Sequence, residues 1–413
     1  MATPNDSLLS LIREAGWTYE ALAHRVNEDA RRHKVGTTYD RTTVAHWIRG
    51  SRPRRPVPEL LCGLFTQRLG RLITPVELGL ADGRPPARKD AASLIAAIPG
   101  LDASGVHGGV RGGVQGDEPP SERVPGQRAR PSSEGLPVPA SHEQVWRGAE
   151  RFFVQQTGAL GGRRTEPVLL AYLRSTFGPA GGALVMATES RAGLAHAART
   201  AVLLAGSYAD ACRTQEAEGA LTAAEALADH AQDRPVQAIA LRQLSENALL
   251  QGVTPLASGY LDRALEVSRH APQPVRAYVA AQAARVCAAR RERRAALEWL
   301  ETASRLLPHY TGGEEPFAVY STASLHYQRA AVLVRVGEPR EAHAALTASL
   351  DERPSQESRA VLFSLLARAR LYHAEGRREE MCSAVAAAEQ MNVTIASVSA
   401  AREIARIRSV RQA

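Results

Sequence analysis

The second half of the chain repeats a short pattern of small and large apolar residues, and this repeat limits the possible folds most strongly. In the clearest copies alanine, leucine and alanine stand at positions i, i+4 and i+7, which share one face of an α-helix. Successive copies are separated by 40, 39, 46 and 39 residues. The five copies are Ala217/Leu221/Ala224, Ala257/Leu261/Ala264, Ala296/Leu300/Ala303, Ala342/Leu346/Ser349 and the weaker Met381/Val385/Ala388. A repeat of this length predicts stacked helical hairpins, because each hairpin needs its neighbours to bury its apolar face.

The composition favours the same fold class. The 413 residues include 73 alanines, whereas aromatic residues make up only 5%. Alanine is the strongest helix former and lets helix backbones approach closely. Hydrophobic residues at 44% and charged residues at 23% are ordinary values for globular domains and exclude wholesale disorder. We therefore predict an all-α protein.

A segment rich in glycine and proline divides the chain. Between Pro99 and Pro139, 16 of 41 residues are glycine or proline, and the segment has no apolar period. Such a composition is typical of a flexible linker. Glycine-rich runs also bind phosphate, but only between a strand and a helix, and neither is predicted here. We predict a head at residues 1–90, a flexible linker at 91–140 and a helical-repeat body at 141–413.

The head has the boundary signals of five short helices. Thr18 and Asp40 are suited to cap the second and third helices, and Pro58 fits the first turn of the fourth. Thr74 and Glu77 form a capping box that would open the fifth. We expect these helices to form one small domain.

The third head helix would carry a polar, cationic face. Val44, Trp47 and Ile48 share one side of this helix and are expected to face the core. The opposite side suits the base edges of a major groove, and it consists of Arg41, Thr42, Thr43, Ala45, His46 and Arg49. Three arginines in the following turn are candidates for phosphate contacts: Arg52, Arg54 and Arg55.

The positive charge is densest in the head. Residues 1–90 hold 15 Lys and Arg against 10 Asp and Glu, so they carry +5 of the net +8. A localised basic excess is expected of a nucleic-acid contact. The alternative interpretation is a solvated basic surface. Because only Lys34 and Lys89 are lysines among 51 basic residues, the abundance of arginine is not by itself evidence of function.

Residues 8–80 resemble a helix-turn-helix domain of the Cro/cI type, the xenobiotic-response-element family. The run Trp-Ile-Arg-Gly-Ser-Arg-Pro at 47–53 is similar to the end of that family's recognition helix, and Thr-Tyr-Glu-Ala-Leu-Ala at 18–23 to the start of its second helix. The resemblance implies base contacts from Arg41, Thr42, Thr43 and His46, and phosphate contacts from Thr18 and Tyr19. The family has a short turn where this chain has residues 27–39, so either the second helix is lengthened or a loop is inserted.

The body resembles tetratricopeptide-type repeats. Gly337 and Gly376 match the turn glycine of that family, and Tyr208 and Tyr372 match its first-helix tyrosine. The resemblance implies a concave groove lined by the first helix of each unit, with candidate residues Arg199, Arg242, Glu246, Arg285, Tyr327 and Arg370. Such groups suit an acidic peptide or a C-terminal carboxylate. The alternative is that they are ordinary exposed helix residues.

Head and body together resemble regulators of GC-rich bacteria that join a Cro/cI-type head to a tetratricopeptide sensor. This resemblance predicts a sequence-specific transcriptional regulator that binds double-stranded DNA as a homodimer. Its body would bind a peptide, protein or small-molecule signal. The alternative is a protein-interaction scaffold whose head binds DNA only weakly.

Other functions have less support in the sequence. The motifs of zinc proteases, phosphate-binding loops and serine hydrolases are absent, so we expect no enzyme and no cofactor. The four cysteines are far apart, which predicts buried thiols without a disulfide or a metal site. No apolar stretch approaches the roughly 18 residues of a membrane span, so we expect a cytoplasmic, nucleoid-associated protein.

Overall fold

A computed structural model describes residues 4–32, 38–51, 53, 57–69, 73, 77–80, 91–101, 142–177, 190–307, 320–354 and 356–409. Within these ranges the regular elements are eighteen α-helices and one 3-10 turn, and there is no strand. The predicted all-α class is therefore confirmed. No helix in the same ranges is long and apolar enough to span a bilayer.

The described part of the head contains four helices: α1 (Asp6–Glu14), α2 (Tyr19–Arg32), α3 (Arg41–Ile48) and α4 (Val57–Leu69). Leu8, Leu22 and Phe65 are fully buried where these helices meet. Residues 77–79, where the fifth helix was predicted, form a turn, and Thr74 lies outside the described residues. Asn5 fixes this turn to the rest of the head, because its side chain donates to the carbonyl of Leu78 at 2.8 Å and caps α1.

The unusual spacer of the head is partly a longer helix. α2 continues to Arg32, and residues 33–37 lie outside the described part of the chain. Asn27, near the middle of α2, exchanges two hydrogen bonds with the backbone of Tyr39. Its amide group donates to the Tyr39 carbonyl at 2.6 Å, and its carbonyl oxygen accepts from the Tyr39 N–H at 2.7 Å. This contact fixes the backbone just before α3.

The start of the predicted linker belongs to the body. Helix α5 (Ala91–Ala96) and the turn after it bury Leu94, Ile95, Ile98 and Leu101 in the largest apolar core of the body. The prediction of a flexible linker from residue 91 onward is therefore wrong for 91–101. The apolar residues of this short stretch fit between helices that lie far away in the sequence. Residues 102–140 lie outside the described part of the chain.

The body consists of antiparallel helix pairs. Its helices are α6 (His142–Leu160), α7 (Gly162–Phe177), α8 (Arg191–Asp210), α9 (Thr214–Ala231), α10 (Arg234–Leu250), α11 (Thr254–Val267), α12 (Gln273–Ala289), α13 (Arg293–Leu306), α14 (Thr322–Val336), α15 (Pro339–Asp351), α16 (Ser358–Ala374), α17 (Arg378–Ile395) and α18 (Val398–Ser409). The repeated apolar triplets lie on α9, α11, α13, α15 and α17, and all fifteen of their residues are buried. The predicted helical-repeat body is confirmed.

The turn inside each repeat uses a left-handed backbone. Five helix pairs begin with α8, α10, α12, α14 and α16, and in each pair a residue with positive φ follows the first helix. These residues are Cys212, Gly252, Arg291, Gly337 and Gly376. Their spacings are 40, 39, 46 and 39 residues, the same as those of the apolar triplets. Turn and triplet therefore belong to one repeating unit, in which two turns lack the favoured glycine.

The repeats do not form an open stack, because the last helices of the body return to the first. α16 contacts α6, and α18 contacts α8. The Asp210 carboxylate lies at this seam with its side chain fully buried. It accepts hydrogen bonds from Arg359, from the Ser397 hydroxyl at 2.7 Å and from the backbone N–H of Gly162 at 3.1 Å. The body is a closed ring of helices.

Candidate functional site

Helix α3 in the head is built as a stable, outward-facing element. Asp40 caps it, because its carboxylate accepts from the backbone N–H of Thr43 at 2.7 Å. The Thr43 side chain completes a capping box, because its Oγ1 atom accepts from the backbone N–H of Asp40 at 3.5 Å. The same hydroxyl also donates to the Asp40 carboxylate at 2.6 Å. These hydrogen bonds lower the pKa of Asp40. Val44 and Trp47 are buried on the opposite side of the helix, so the orientation of α3 is fixed at both its start and its inner face.

The residues predicted to contact DNA have different surroundings. Arg41, Thr42, His46 and Arg49 are exposed on α3. Thr43 is only half-exposed and its hydroxyl already serves the helix cap. The other candidates are Thr18 and Tyr19, which lie at the start of α2, and Arg52, Arg54 and Arg55, which lie outside the described residues.

The Thr18 side chain caps α2, as the sequence predicts. Its hydroxyl accepts from the backbone N–H of Ala21 at 3.1 Å and remains exposed. Tyr19 is half-buried and packs against the head core. A phosphate contact from Thr18 would therefore come from a hydroxyl that also holds the start of its helix.

The centre of the body ring is a cavity of about 580 Å³. Its walls come from α6 and from the first helices of the repeats, α8, α10, α12, α14 and α16. Because α6 and α16 meet at the seam, residues from both ends of the body line the same space. The cavity falls within the range of roughly 300–1,000 Å³ that is usual for small-molecule sites. Apolar side chains form much of its wall: Val154, Val202, Leu203, Ile239, Val275 and Phe363.

Arg242 is the most unusual residue of this cavity. Its side chain lies over the ring of Tyr278, with 4.2 Å between the guanidinium carbon and the ring centroid, and the residue is 4% exposed. Among the described residues, its Nε and Nη2 atoms have no hydrogen-bond partner. Glu246 lies one turn further along α10, but its Oε1 atom pairs with Arg285 at 2.5 Å. One carboxylate thus faces two guanidinium groups.

A second buried donor lies beside this arginine. The Tyr320 ring packs against Tyr278 with centroids 5.0 Å apart, and its hydroxyl has no partner among the described residues. Burial raises the pKa of Tyr320, with Arg242 acting in the opposite direction, so the phenol is neutral at physiological pH and can donate. The Tyr278 ring therefore contacts both the Arg242 guanidinium and the Tyr320 ring, whose neutral hydroxyl can donate a hydrogen bond.

The other arginines that line the cavity have acidic partners. Arg353 pairs with Glu357 at 2.7 Å, and Arg359 pairs with Asp210 at 3.1 Å. Their charges are already balanced by this chain. The uncompensated charge of the described lining is therefore that of Arg242.

The six predicted groove residues separate into three places. Arg242, Glu246 and Tyr327 line the central cavity. Arg285 and Arg370 line a neighbouring cavity of about 310 Å³, to which Tyr327 also contributes. Arg199 does not line the central cavity, because it pairs with Glu150 at 3.3 Å and with Asp233 at 2.8 Å.

Arg199 belongs to a buried polar chain that joins the first helices of the body. Glu150 also contacts Nδ1 of His196 at 2.7 Å, and Nε2 of His196 contacts the Tyr172 hydroxyl at 2.7 Å. Trp146 stacks on the His196 ring. Burial raises the pKa of Tyr172, so this hydroxyl stays protonated. These polar contacts link α6, α7 and α8, and we interpret them as structural.

Sequence reasoning missed Tyr278, Tyr320 and Arg353 as lining residues. Tyr320 and Arg353 lie just outside helices, whereas the groove positions of the repeat family lie on the first helices, so those positions do not include them. Tyr278 does lie on a first helix, and its aromatic ring two turns before Arg285 was the one signal available.

One known protein family matches the head of the chain. Residues 8–81 match the model of a family described as the SP15 N-terminal domain. No curated protein is significantly similar to the chain in sequence.

Two solved structures resemble part of the chain at low identity. A chain of the APC/C heterotetramer Cut9–Hcn1 is 14% identical with a TM-score of 0.36, and the match covers 64% of this chain but only 46% of that one. PilF of Pseudomonas aeruginosa is 18% identical with a TM-score of 0.29, and the match covers 63% of this chain and 98% of that one. Both TM-scores are below 0.5, so the description of the fold depends on the helix pairs themselves.

Proposed function

We propose that the chain is a DNA-binding regulator, in which the head binds duplex DNA and the ring-shaped body binds the signal or partner that controls it. The observation that carries this proposal is the exposed face of α3. Arg41, Thr42, His46 and Arg49 are exposed there, while Val44 and Trp47 hold the other face in the core. The proposal assigns binding to both parts and catalysis to neither.

The dimensions and chemistry of α3 suit a major groove. An α-helix with its side chains is about 10–12 Å across, which fits the major-groove width of about 12 Å. Arginine side chains can bind guanine with two hydrogen bonds, and threonine and histidine can bind base edges or phosphates. The exposed side of α3 carries no acidic side chain, which would repel phosphate. The helix therefore supports both affinity and base reading.

A single helix of this length makes few base contacts, so we propose that two copies bind together. Regulators with this kind of head read two half-sites that are one helical turn apart. Analytical ultracentrifugation of the full chain on DNA would test this. We expect two protomers on each site, and a complex with one protomer would contradict the dimer.

A second candidate function is a protein-interaction scaffold. Leu250 and Val334 are 72% and 48% exposed, and both line the neighbouring cavity of about 310 Å³. Exposed apolar residues around a depression are typical of protein contacts. In that case the DNA contact of the head would be weak or accessory.

Selection of duplex DNA from a random pool by the full chain separates these functions. At physiological salt we expect an enriched motif with two related halves. Arg41→Ala should weaken binding to the best site by about 1–3 kcal/mol and relax the preference at one position in each half. Arg13→Ala removes the same charge from α1 and serves as the matched control. If no motif is enriched, or if Arg41→Ala weakens specific and random DNA equally, α3 does not read bases and the scaffold function is favoured.

A further inference from the structure

The central cavity contains a positive charge that the described part of the chain does not balance. Arg242 and Arg285 face the single carboxylate of Glu246, whose Oε1 atom is bonded to Arg285 and whose Oε2 atom has no hydrogen-bond partner among the described residues. Arginine remains protonated at all physiological pH values. Burial of an unpaired charge is strongly unfavourable. An anion inside the cavity would remove this cost.

The donors beside the cavity point to a planar anionic group. The guanidinium of Arg242 lies over the Tyr278 ring, and its Nε and Nη2 atoms have no partner among the residues that the structure describes. This edge of a guanidinium can form two parallel hydrogen bonds with one carboxylate. The Tyr320 hydroxyl provides a further buried donor close to the same ring.

The charge balance favours a carboxylate over a phosphate. Among the described residues, the lining of the cavity has one uncompensated charge, because Arg353 and Arg359 are paired with Glu357 and Asp210. A carboxylate carries a single negative charge and neutralises Arg242 completely. A phosphate monoester carries about −1.5 to −2 at neutral pH, which would leave excess negative charge in the cavity.

The rest of the cavity wall indicates the chemistry of the rest of the ligand. Val202, Leu203, Ile239, Val275 and Phe363 surround the space with apolar atoms. A volume of about 580 Å³ admits a small molecule but not a folded domain or a long helix. An apolar body with one acidic group matches this lining.

We propose that the central cavity binds a small organic acid, whose single carboxylate is held by Arg242 and Tyr320 and whose apolar part packs against the helices of the ring. This proposal rests on the proposed function only in giving the body the role of signal receptor. It replaces a peptide along a concave groove with a small molecule in the central cavity. Because the wall includes residues of α6 and α16, the acid would contact both sides of the seam.

Isothermal titration calorimetry on the full chain without DNA tests the proposal. The probes are straight-chain carboxylates of six to twelve carbons, phenylacetate and indole-3-acetate, each compared with its neutral primary amide. We expect one site per chain, and we expect the best acid to bind at least tenfold more tightly than its amide. If no acid binds with a Kd below about 1 mM, or if acids and amides bind equally, the proposal is wrong.

Two variants connect binding to the proposed residues. Arg242→Met should reduce the ratio of acid to amide affinity to about one, and it should keep or raise the Tm of the unliganded protein because it removes an unpaired buried charge. Tyr320→Phe keeps the ring and should weaken the acid several-fold, with a smaller effect on the amide. Arg263→Met changes an exposed ion pair with Glu225 outside the cavity and should leave both affinities unchanged.

The opposite results would overturn the proposal. A preserved preference for acids in Arg242→Met would place the anion elsewhere, and a marked fall in Tm would show that the guanidinium stabilises the empty protein. The DNA function fails separately: a chain that binds acids through Arg242 but enriches no DNA motif contradicts the proposed function alone. A chain that selects DNA but binds no acid contradicts this inference alone.

Discussion

Arg359 and Asp210 are 149 residues apart in the sequence, and they form an ion pair. The Nε atom of the guanidinium donates to Oδ1 of the carboxylate at 3.2 Å, and Nη2 lies 3.1 Å from the same oxygen. This ion pair joins the start of α16 to the end of α8. The hydroxyls of Ser397, in the turn before α18, and of Ser399, in α18, donate to the same oxygen. The carboxylate is therefore the point at which the two ends of the repeat array meet.

Asp210→Asn should destabilise the protein by about 3 kcal/mol. The amide cannot accept from Arg359, the serine hydroxyls and the Gly162 N–H together, so buried donors lose their partner. Denaturant unfolding followed by circular dichroism measures the change. Arg263→Ala breaks a largely exposed ion pair and should cost less than about 1 kcal/mol. Equal losses in the two variants would show that the seam carries no special stability.

Arg291→Gly should stabilise the protein by roughly 0.5–1 kcal/mol. Arg291 has a φ of 63°, where a side chain costs about 1–2 kcal/mol and glycine costs little, although glycine loses more entropy on folding. The same position in other repeats is Gly252, Gly337 or Gly376. Arg291→Ala removes the same charge but keeps the strained backbone, so it should give no gain. If the alanine variant is equally stabilised, backbone strain is not the cause.

Tyr208→Phe should loosen the segment 91–101 without unfolding the ring. The fully buried Tyr208 donates from its hydroxyl to the carbonyl of Pro99 at 2.8 Å, and loss of this bond should cost about 1–2 kcal/mol. Hydrogen exchange monitored by mass spectrometry should show faster exchange in α5 and unchanged exchange in α12 and α13. Uniformly faster exchange would mean that the segment and the ring unfold as one unit.

The same tyrosine predicts a dependence of stability on alkaline pH. Burial raises the pKa of Tyr208 to about 12 from an ordinary value of 10.0. The folded state therefore keeps a proton that the unfolded chain loses, and the free energy of unfolding should fall as pH rises from 10 to 12. Tyr208→Phe should show a shallower fall over this interval in urea titrations. Parallel curves for the two proteins would contradict the assignment.

Asn27→Ala should disorder the start of α3. The variant loses both hydrogen bonds to the Tyr39 backbone and leaves a part-buried donor and acceptor unsatisfied, which should cost about 1–3 kcal/mol. We expect faster amide exchange at Val44 to Ile48 and weaker DNA binding. Glu20→Ala, an exposed change on the same helix, is the control and should alter neither. Unchanged exchange in α3 would show that the Asp40 cap alone is sufficient.

The sequence predicts the local features of this protein well. Asp40 caps α3, Val44 and Trp47 are buried, and the apolar triplets from Ala217 to Ala388 mark the second helices. These features depend on residues within one or two turns of each other, which a periodic pattern records directly. The turn at Gly337 was found for the same reason, whereas Cys212 and Arg291 give no glycine signal in the same position.

Features that depend on distant residues were not predictable. The helix α5 lies in a segment whose composition indicates a linker, and only its fit against α9 makes it part of the core. The meeting of Asp210 with Arg359 leaves no local pattern, so the sequence predicts a concave groove where the structure has a cavity at the centre of the ring. Arg242 has two nitrogen atoms without partners among the described residues, and this likewise follows from the arrangement of α10, α12 and Tyr320, which lies two residues before α14.

The closed seam also restricts how a chain like this one can evolve. In an open array each repeat touches only its neighbours, so units can be duplicated or deleted at little cost. Here an added or lost unit of about 40 residues would carry Arg359 and Ser397 away from Asp210 and leave buried polar groups unmatched. Related chains with the same seam should therefore keep the number of repeats constant. They should differ in the side chains that face the centre and in the lengths of the outer loops.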